Sequence, residues 1–195
     1  HIEMLMKKKH TVGLAAYLKG GVMQQQGIDK AVEILNEFQD FLRSFQITEV
    51  ITFTTAALRN AENSAAAVGE IEQRTGLTIR VITGDEEAIF DFIGATRNLQ
   101  EESGLLVDIG GGSTEIVNYQ QRRIQHKISL RIGSLAFRTK YVQGILPTAG
   151  ECLVMREQAE AAIQSATAFN AVSELSMAGI GGTFKGAAAL YNAMF

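Results

Sequence analysis

The chain has 195 residues, 46% of them hydrophobic and 20% charged, with a net charge of −3. These proportions fit one good-sized or two small soluble globular domains. They exclude a collagen-like repeat, a long proline-rich linker (Pro147 is the one proline) and nucleic-acid binding driven by bulk positive charge.

In chain order, the first fifteen or so residues carry no clear period. Met6-Lys7-Lys8-Lys9-His10 reads as a solvated basic run and Gly20-Gly21 as a loop. From Ile28 the apolar residues Ile28, Ala31, Val32, Leu35, Phe38, Leu42 and Phe45 recur at spacings of three and four, which predicts an amphipathic helix. Glu49–Thr54 is β-branched and aromatic and predicts a strand. A helix over 61–75 ends at Gly76, and Leu77–Thr83 alternates as a second strand. Gly84-Asp85 then opens a helix whose first turn, Asp85, Glu86 and Glu87, suits the positive end of a helix dipole.

Leu105–Ile109 is a predicted strand that runs into Gly110-Gly111-Gly112. Thr114–Tyr119 and Arg123–Ile132 read as its antiparallel continuation. Ser134–Gln143 and Glu151–Phe169 are predicted helices. Leu175–Gly179 is a predicted strand that leads through Gly181-Gly182 to a last helix from about Thr183 to Met194. Alternating helix and strand in the first half predicts α/β layers with parallel pairing, and the hairpins at 105–132 make the sheet mixed. No internal repeat is visible.

Several chemistries are excluded. One cysteine, Cys152, allows no internal disulfide framework and no cysteine-rich zinc site. His1, His10 and His126 are too scattered for a histidine metal cluster. No apolar run approaches the roughly 20 residues of a membrane span, and His1-Ile-Glu-Met does not start a signal peptide. The expected location is therefore the cytoplasm, with no membrane and no DNA partner. The first residue is not methionine, so a fragment of a longer protein is expected.

The strongest local feature is Val107-Asp108-Ile109-Gly110-Gly111-Gly112-Ser113-Thr114-Glu115. A bare triple glycine is most simply a flexible hairpin. With an acid before it and Ser-Thr-Glu after it, the turn reads instead as an anion cradle. Backbone amides can aim at phosphate there, and Ser113 and Thr114 add hydroxyls. Asp108 sits where it can hold a hydrated divalent cation, and Glu115 is close enough across the turn to share that site.

Three further segments carry two readings each. Thr83-Gly84-Asp85-Glu86-Glu87-Ala88 is a solvated helix start, or the source of one carboxylate that takes a proton from an attacking water. Arg59, in Thr54-Thr55-Ala56-Ala57-Leu58-Arg59-Asn60, is a surface arginine or a bidentate phosphate partner beyond a strand end. Met177-Ala178-Gly179-Ile180-Gly181-Gly182-Thr183 is a tight packing turn or an anion site at a helix N-terminus.

Asp108-Ile-Gly-Gly-Gly-Ser-Thr-Glu115 resembles the second phosphate motif of the actin, Hsp70 and sugar-kinase superfamily. Joined to Thr55-Ala-Ala-Leu-Arg-Asn60, Gly84-Asp-Glu-Glu-Ala88 and Gly179-Ile-Gly-Gly-Thr183, it resembles the exopolyphosphatase and guanosine-pentaphosphate phosphatase (Ppx/GppA) family over nearly the whole chain. Position 85 is Asp where many relatives carry a third Glu.

The resemblance implies a ribonuclease H-like α/β fold in two domains, a first over 1–128 and the start of a second over 129–195. It implies hydrolysis of a terminal phosphoanhydride of polyphosphate or of the guanosine pentaphosphate alarmone, with Mg²⁺, accompanied by K⁺. Glu87 is then the base that activates water. Asp108 and Glu115 lie at the metal, with Glu115 also at the catalytic water. Gly110, Gly111, Gly112, Ser113, Thr114, Arg59, Gly181, Gly182 and Thr183 face phosphate. Lys7–Lys9, Arg122-Arg123 and Lys127 are candidates for a basic path for a long polyanion.

The family begins with a hairpin of the type Asp-x-Gly-x-Asn-Ser, which is not seen before Met6, and relatives continue beyond the Gly-Ile-Gly-Gly-Thr helix. An internal portion of a longer protein, incomplete at both ends, is therefore expected. Without the first hairpin, little or no activity is expected. The full-length protein is expected to be a homodimer. Two other functions share some of the motifs: an ATP-dependent small-molecule kinase, and a non-catalytic binder of guanosine tetra- or pentaphosphate.

Overall fold

A turn at Gly20-Gly21 brings β1 (Leu18–Lys19) back antiparallel on β2 (Val22–Met23), after a short 3₁₀ turn at Leu14–Tyr17. The computed structural model describes residues 4–97, 99–169, 172 and 176–195. Helix α1 (Gln25–Ser44) follows and lays Ile28, Ala31 and Val32 on the first core. Strand β3 (Thr52–Thr54) leads into the four-residue α2 (Ala56–Arg59). Helix α3 (Ser64–Thr75) adds Ala67, Val68 and Ile71 to the same core, which Met23, Leu58 and Ile79 close.

Gly76 ends α3 at φ 70°, the left-handed conformation that a side chain resists, and its amide bonds Glu72 O. Strand β4 (Ile79–Val81) pairs parallel with β3, in the register Thr52↔Ile79 to Thr54↔Val81. Both strands are shorter than the sequence predicts. Ile51, just before β3, is exposed, so the apolar pattern there runs beyond the ladder. The helix predicted over 61–75 starts at Ser64, because Ala56–Arg59 forms a helical turn of its own.

Helix α4 (Gly84–Thr96) follows β4. Strands β5 (Gly104–Ile109), β6 (Thr114–Gln120) and β7 (Arg123–Leu130) form an antiparallel meander. Helices α5 (Ser134–Tyr141) and α6 (Ala149–Gln164) come next. The helix predicted to run to Phe169 stops at Gln164. Ala166 turns inward and is buried, and Thr167–Phe169 is a 3₁₀ turn. Strand β8 (Met177–Ile180) joins parallel to β5 and leads into α7 (Gly181–Met194). Leu175, the predicted start of that strand, lies outside the described residues.

The four strands run in the order β7-β6-β5-β8, so the sheet is mixed, as the hairpins predict. A second core of Ala88, Phe92, Leu106, Val117 and Tyr119 joins α4 to this sheet. The boundary expected at 128/129 falls inside β7, whose pairing with β6 continues through Leu130. Among the described residues no helix is long and apolar enough to cross a membrane.

Ile71 is 1% exposed in the first core, whereas Leu153 on α6 is 56% exposed. Ile71→Ala is expected to cost about 2–5 kcal/mol of stability. Leu153→Ala should stay within about 0.5 kcal/mol of the parent. Urea unfolding midpoints at unchanged slope would check both.

Candidate active site

Because β3 and β4 are parallel, their carboxyl ends lie side by side, and the elements that follow them meet there. Arg59, the last residue of α2, reaches Glu87 in the first turn of α4, with Nη1 2.6 Å from Oε2. The same nitrogen donates to Ile82 O at 3.2 Å.

The three acids of that turn have different duties. Glu86 closes a capping box: Thr83 N donates to its Oε2 at 2.8 Å, and the Thr83 hydroxyl accepts from Glu86 N at 3.1 Å. The bond from the Thr83 backbone holds the Glu86 carboxyl below its usual pKa. Asp85 pairs with Lys127 Nζ at 2.5 Å. Glu87 alone turns inward to Arg59, and among the described residues nothing donates to its other oxygen, Oε1. This resolves the two readings of the acidic run: two acids serve the helix and the surface, and one faces the site.

Asp108 and Glu115 are direct partners in the β5–β6 ladder, on either side of the glycine turn. The turn is held by Gly110 N donating to Ser113 O at 2.9 Å. The start of α5 takes up its carbonyls, with Ser134 N on Gly110 O and Ala136 N on Gly111 O, each at 2.9 Å. The amides of Gly111 and Gly112 donate to no acceptor among the described residues.

The hydroxyls of the two glycine loops bond the protein itself. The Thr114 hydroxyl donates to Ile132 O at 2.7 Å, the Thr183 hydroxyl donates to Ile109 O at 2.8 Å, and the Ser113 hydroxyl bonds Glu115. All three tie the glycine loops into the fold. Gly181, at φ 82°, packs against Asp108, and a Cβ there would fall on Asp108 Oδ1. The close approach of this carboxylate thus requires glycine at the N-terminus of α7. Asp108 and the start of α7 at Gly181 are thus neighbours.

Glu115 is 2% exposed and accepts from the Ser129 hydroxyl at 2.7 Å. Arg59 Nη2 lies 3.5 Å from Ser129 Oγ and 3.8 Å from Glu115 Oε1. Burial raises the Glu115 pKa against the lowering effect of its two serine bonds. Burial, then the charge of Glu87, raises that of Asp108.

Asp91 has the largest shift. Burial and the charges of Asp108, Glu115 and Glu87 push it from 3.8 to about 7, and its Oδ2 is buried without a hydrogen-bond partner. Sequence reading missed both Asp91 and Ser129. Asp91 could have been found, since it lies one helical turn after Glu87 at i+4. Ser129 becomes visible only from the pairing of β6 with β7.

The site therefore brings together Arg59, Glu87, Asp108, Glu115 and the Gly110–Gly112 turn. Of the candidates for a basic path, Lys127 is paired with Asp85. Lys8 sits over the rings of Phe38 and Phe41, and Arg122 bonds Thr96 O and Leu99 O.

Among the described residues no three acidic, histidine or cysteine side chains are grouped to hold a metal ion. The donors present are all carboxylate oxygens, one of them orphaned. That chemistry fits Mg²⁺, which keeps several waters and takes only one or two carboxylates from the protein.

The model of the Ppx/GppA phosphatase family matches residues 1–194. The chain belongs to that family. It is 27% identical over 198 residues to exopolyphosphatase 1 of Mycobacterium tuberculosis, covering 99% of this chain and 58% of the relative. It is 30% identical over 145 residues to guanosine-5'-triphosphate,3'-diphosphate pyrophosphatase of Pseudoalteromonas atlantica, covering 73% of this chain and 29% of the relative. The structure of an exopolyphosphatase from Cytophaga hutchinsonii superposes with a TM-score of 0.85 at 24% identity, over 95% of this chain and 61% of that one. The chain thus spans about three fifths or less of the relatives it matches, and the α/β fold expected from the motifs is the family's fold.

The Asp91 shift has a consequence for stability. Its folded pKa, about 7, lies above the ordinary 3.8, so the folded chain binds the proton more tightly than the unfolded one. Stability is therefore lost as pH rises from about 4 to about 7. Asp91→Asn is expected to raise the thermal midpoint at pH 8, without divalent cations, by about 2–8 °C. That is the shift that roughly 1–2 kcal/mol gives a chain of this size, after allowance for solvent screening of a half-buried group. The gain should shrink at pH 5; an equal gain at both pH values would rule out this origin.

Proposed function

We propose that the protein hydrolyses a terminal phosphoanhydride and releases phosphate from inorganic polyphosphate or guanosine pentaphosphate. The observation that carries this reading is the convergence of Glu87, Arg59, Asp108 and Glu115 beside the open amides of Gly111 and Gly112. Phosphoryl transfer requires charge neutralisation and an aligned nucleophile more than covalent chemistry. The relatives with these two activities in their names support both substrates equally.

The geometry supports the following roles. The terminal phosphate rests on the amides of Gly111 and Gly112. Arg59 occupies Oε2 of Glu87, so Oε1 is the oxygen that meets a water. That water attacks the terminal phosphorus and gives its proton to Glu87. The bond from phosphorus to the bridging oxygen breaks, and the leaving chain keeps the electron pair. Mg²⁺, for which Asp108 and Glu115 are the ligands nearest the turn, supplies neutralisation of the phosphate oxygens when bound. Asp91, behind these acids, adds negative charge that favours such a cation.

Purified protein would be assayed for phosphate release from both substrates with Mg²⁺. Glu87→Gln is expected to lower turnover by about 10²-fold or more with an unchanged circular dichroism spectrum. A near-parental rate in that variant would remove Glu87 as the base. ATP-dependent phosphorylation of a small acceptor, with no phosphate release from either substrate, would replace the hydrolase by a kinase.

A further inference from the structure

We propose that Ser129 is a positioning residue that keeps Arg59 on Glu87 by holding it apart from Glu115. The kinetic part of this inference rests on the hydrolase reading above; the structural part does not.

Two carboxylates compete for one guanidinium. Arg59 Nη1 is on Glu87 at 2.6 Å, while Nη2 is 3.8 Å from Glu115 Oε1, beyond a hydrogen bond but within reach of a small side-chain rotation. The Ser129 hydroxyl fills the interval. It donates its one proton to Glu115 Oε1 at 2.7 Å and faces Arg59 Nη2 with a lone pair at 3.5 Å. Glu115 thereby has a neutral partner, and the guanidinium stays with Glu87.

The backbone fixes Ser129 in this position. It is the direct partner of Glu115 in the β6–β7 ladder, so the two side chains share a face. Gly84, at the start of α4, presses on it from the other side, and a Cβ at Gly84 would come within 2.6 Å of Ser129 Oγ. The same glycine is therefore required for the approach of α4, which carries Glu87, to β7, which carries Ser129.

Without the hydroxyl, Glu115 is a buried carboxylate that has lost a hydrogen bond, and the nearest replacement donor is Arg59 Nη2. The guanidinium then turns toward Glu115 and releases Oε2 of Glu87. The base then loses its fixed orientation. Among the described residues Ser129 makes no hydrogen bond to the Gly110–Gly112 turn, so the amides proposed to hold the terminal phosphate are left in place.

Ser129→Ala tests this in two ways. The kcat for phosphate release is expected to fall about tenfold to a hundredfold with KM within about twofold, the pattern of a misoriented group rather than a lost substrate contact. In nitrogen-detected NMR, the Arg59 Nη1 and Nη2 signals, separate when the guanidinium is held, are expected to merge as it rotates. A rise in KM with kcat retained, a rate loss with the Arg59 signals unchanged, or merged signals with an unchanged rate would each overturn the proposal. If the parent protein releases phosphate from neither substrate, the hydrolase reading fails, and the Arg59 signals alone decide: merging supports the role of Ser129 and retention overturns it.

Discussion

Four carboxylates and one guanidinium share a half-buried space, and the local architecture is arranged around that imbalance. Arg59 answers Glu87, and Ser129 and Ser113 answer Glu115. Asp108 rests against the start of α7, where the helix dipole is positive. Asp91 has no such partner at Oδ2, and its raised pKa records the deficit. A fold selected only for stability would not bury an unpaired carboxylate beside three others. Perturbed acids that cluster beside open backbone amides are the arrangement expected where charge must be handled during a reaction.

Each glycine loop carries a steric duty beyond its proposed contact with phosphate. Gly84 admits Ser129, Gly181 admits Asp108, and Gly133 lies on the Gly111–Gly112 peptide, where a Cβ would come within 2.6 Å of the backbone. Larger residues at these positions would separate the elements before any ligand arrived. The glycines bring the carboxylates close, and the closeness creates the electrostatics. Packing and chemistry are here the same constraint seen from two sides.

Much of this was legible in the sequence, for local reasons. The Asp108–Glu115 hairpin, the acidic start of α4 and the strand-to-helix turn at Arg59 are all short-range patterns, and the structure places them together. The helix periods were right in kind, with ends displaced where Ala56–Arg59 and Thr167–Phe169 form separate turns. The duties of the hydroxyls were not legible. Ser113, Thr114 and Thr183 have the composition of a phosphate cradle, yet each bonds the protein, because their partners come from distant strands and turns. Ser129 could not be singled out before the register of β6 and β7 was known. The boundary expected at 128/129 came from the family resemblance, and the ladder that pairs β7 with β6 through Leu130 is a long-range feature that the local sequence does not display.

The imbalance also bears on how the site responds to a positive ligand. Arg59 is covalently part of the fold and is already engaged by Glu87 and Ser129, so it cannot also neutralise Asp91 and Asp108. The remaining charge must be met by protons or by a cation, and the two compete. At low pH the acids with raised pKa values are protonated, and the site is quiet but weak as a cation trap. At higher pH they ionise, repel one another and gain affinity for a cation together. A ligand that binds only the folded state stabilises it by mass action, so the stabilisation that a cation adds should grow with pH while the cation-free fold weakens. The same carboxylates that weaken the empty fold are thus the source of its affinity for a positive partner.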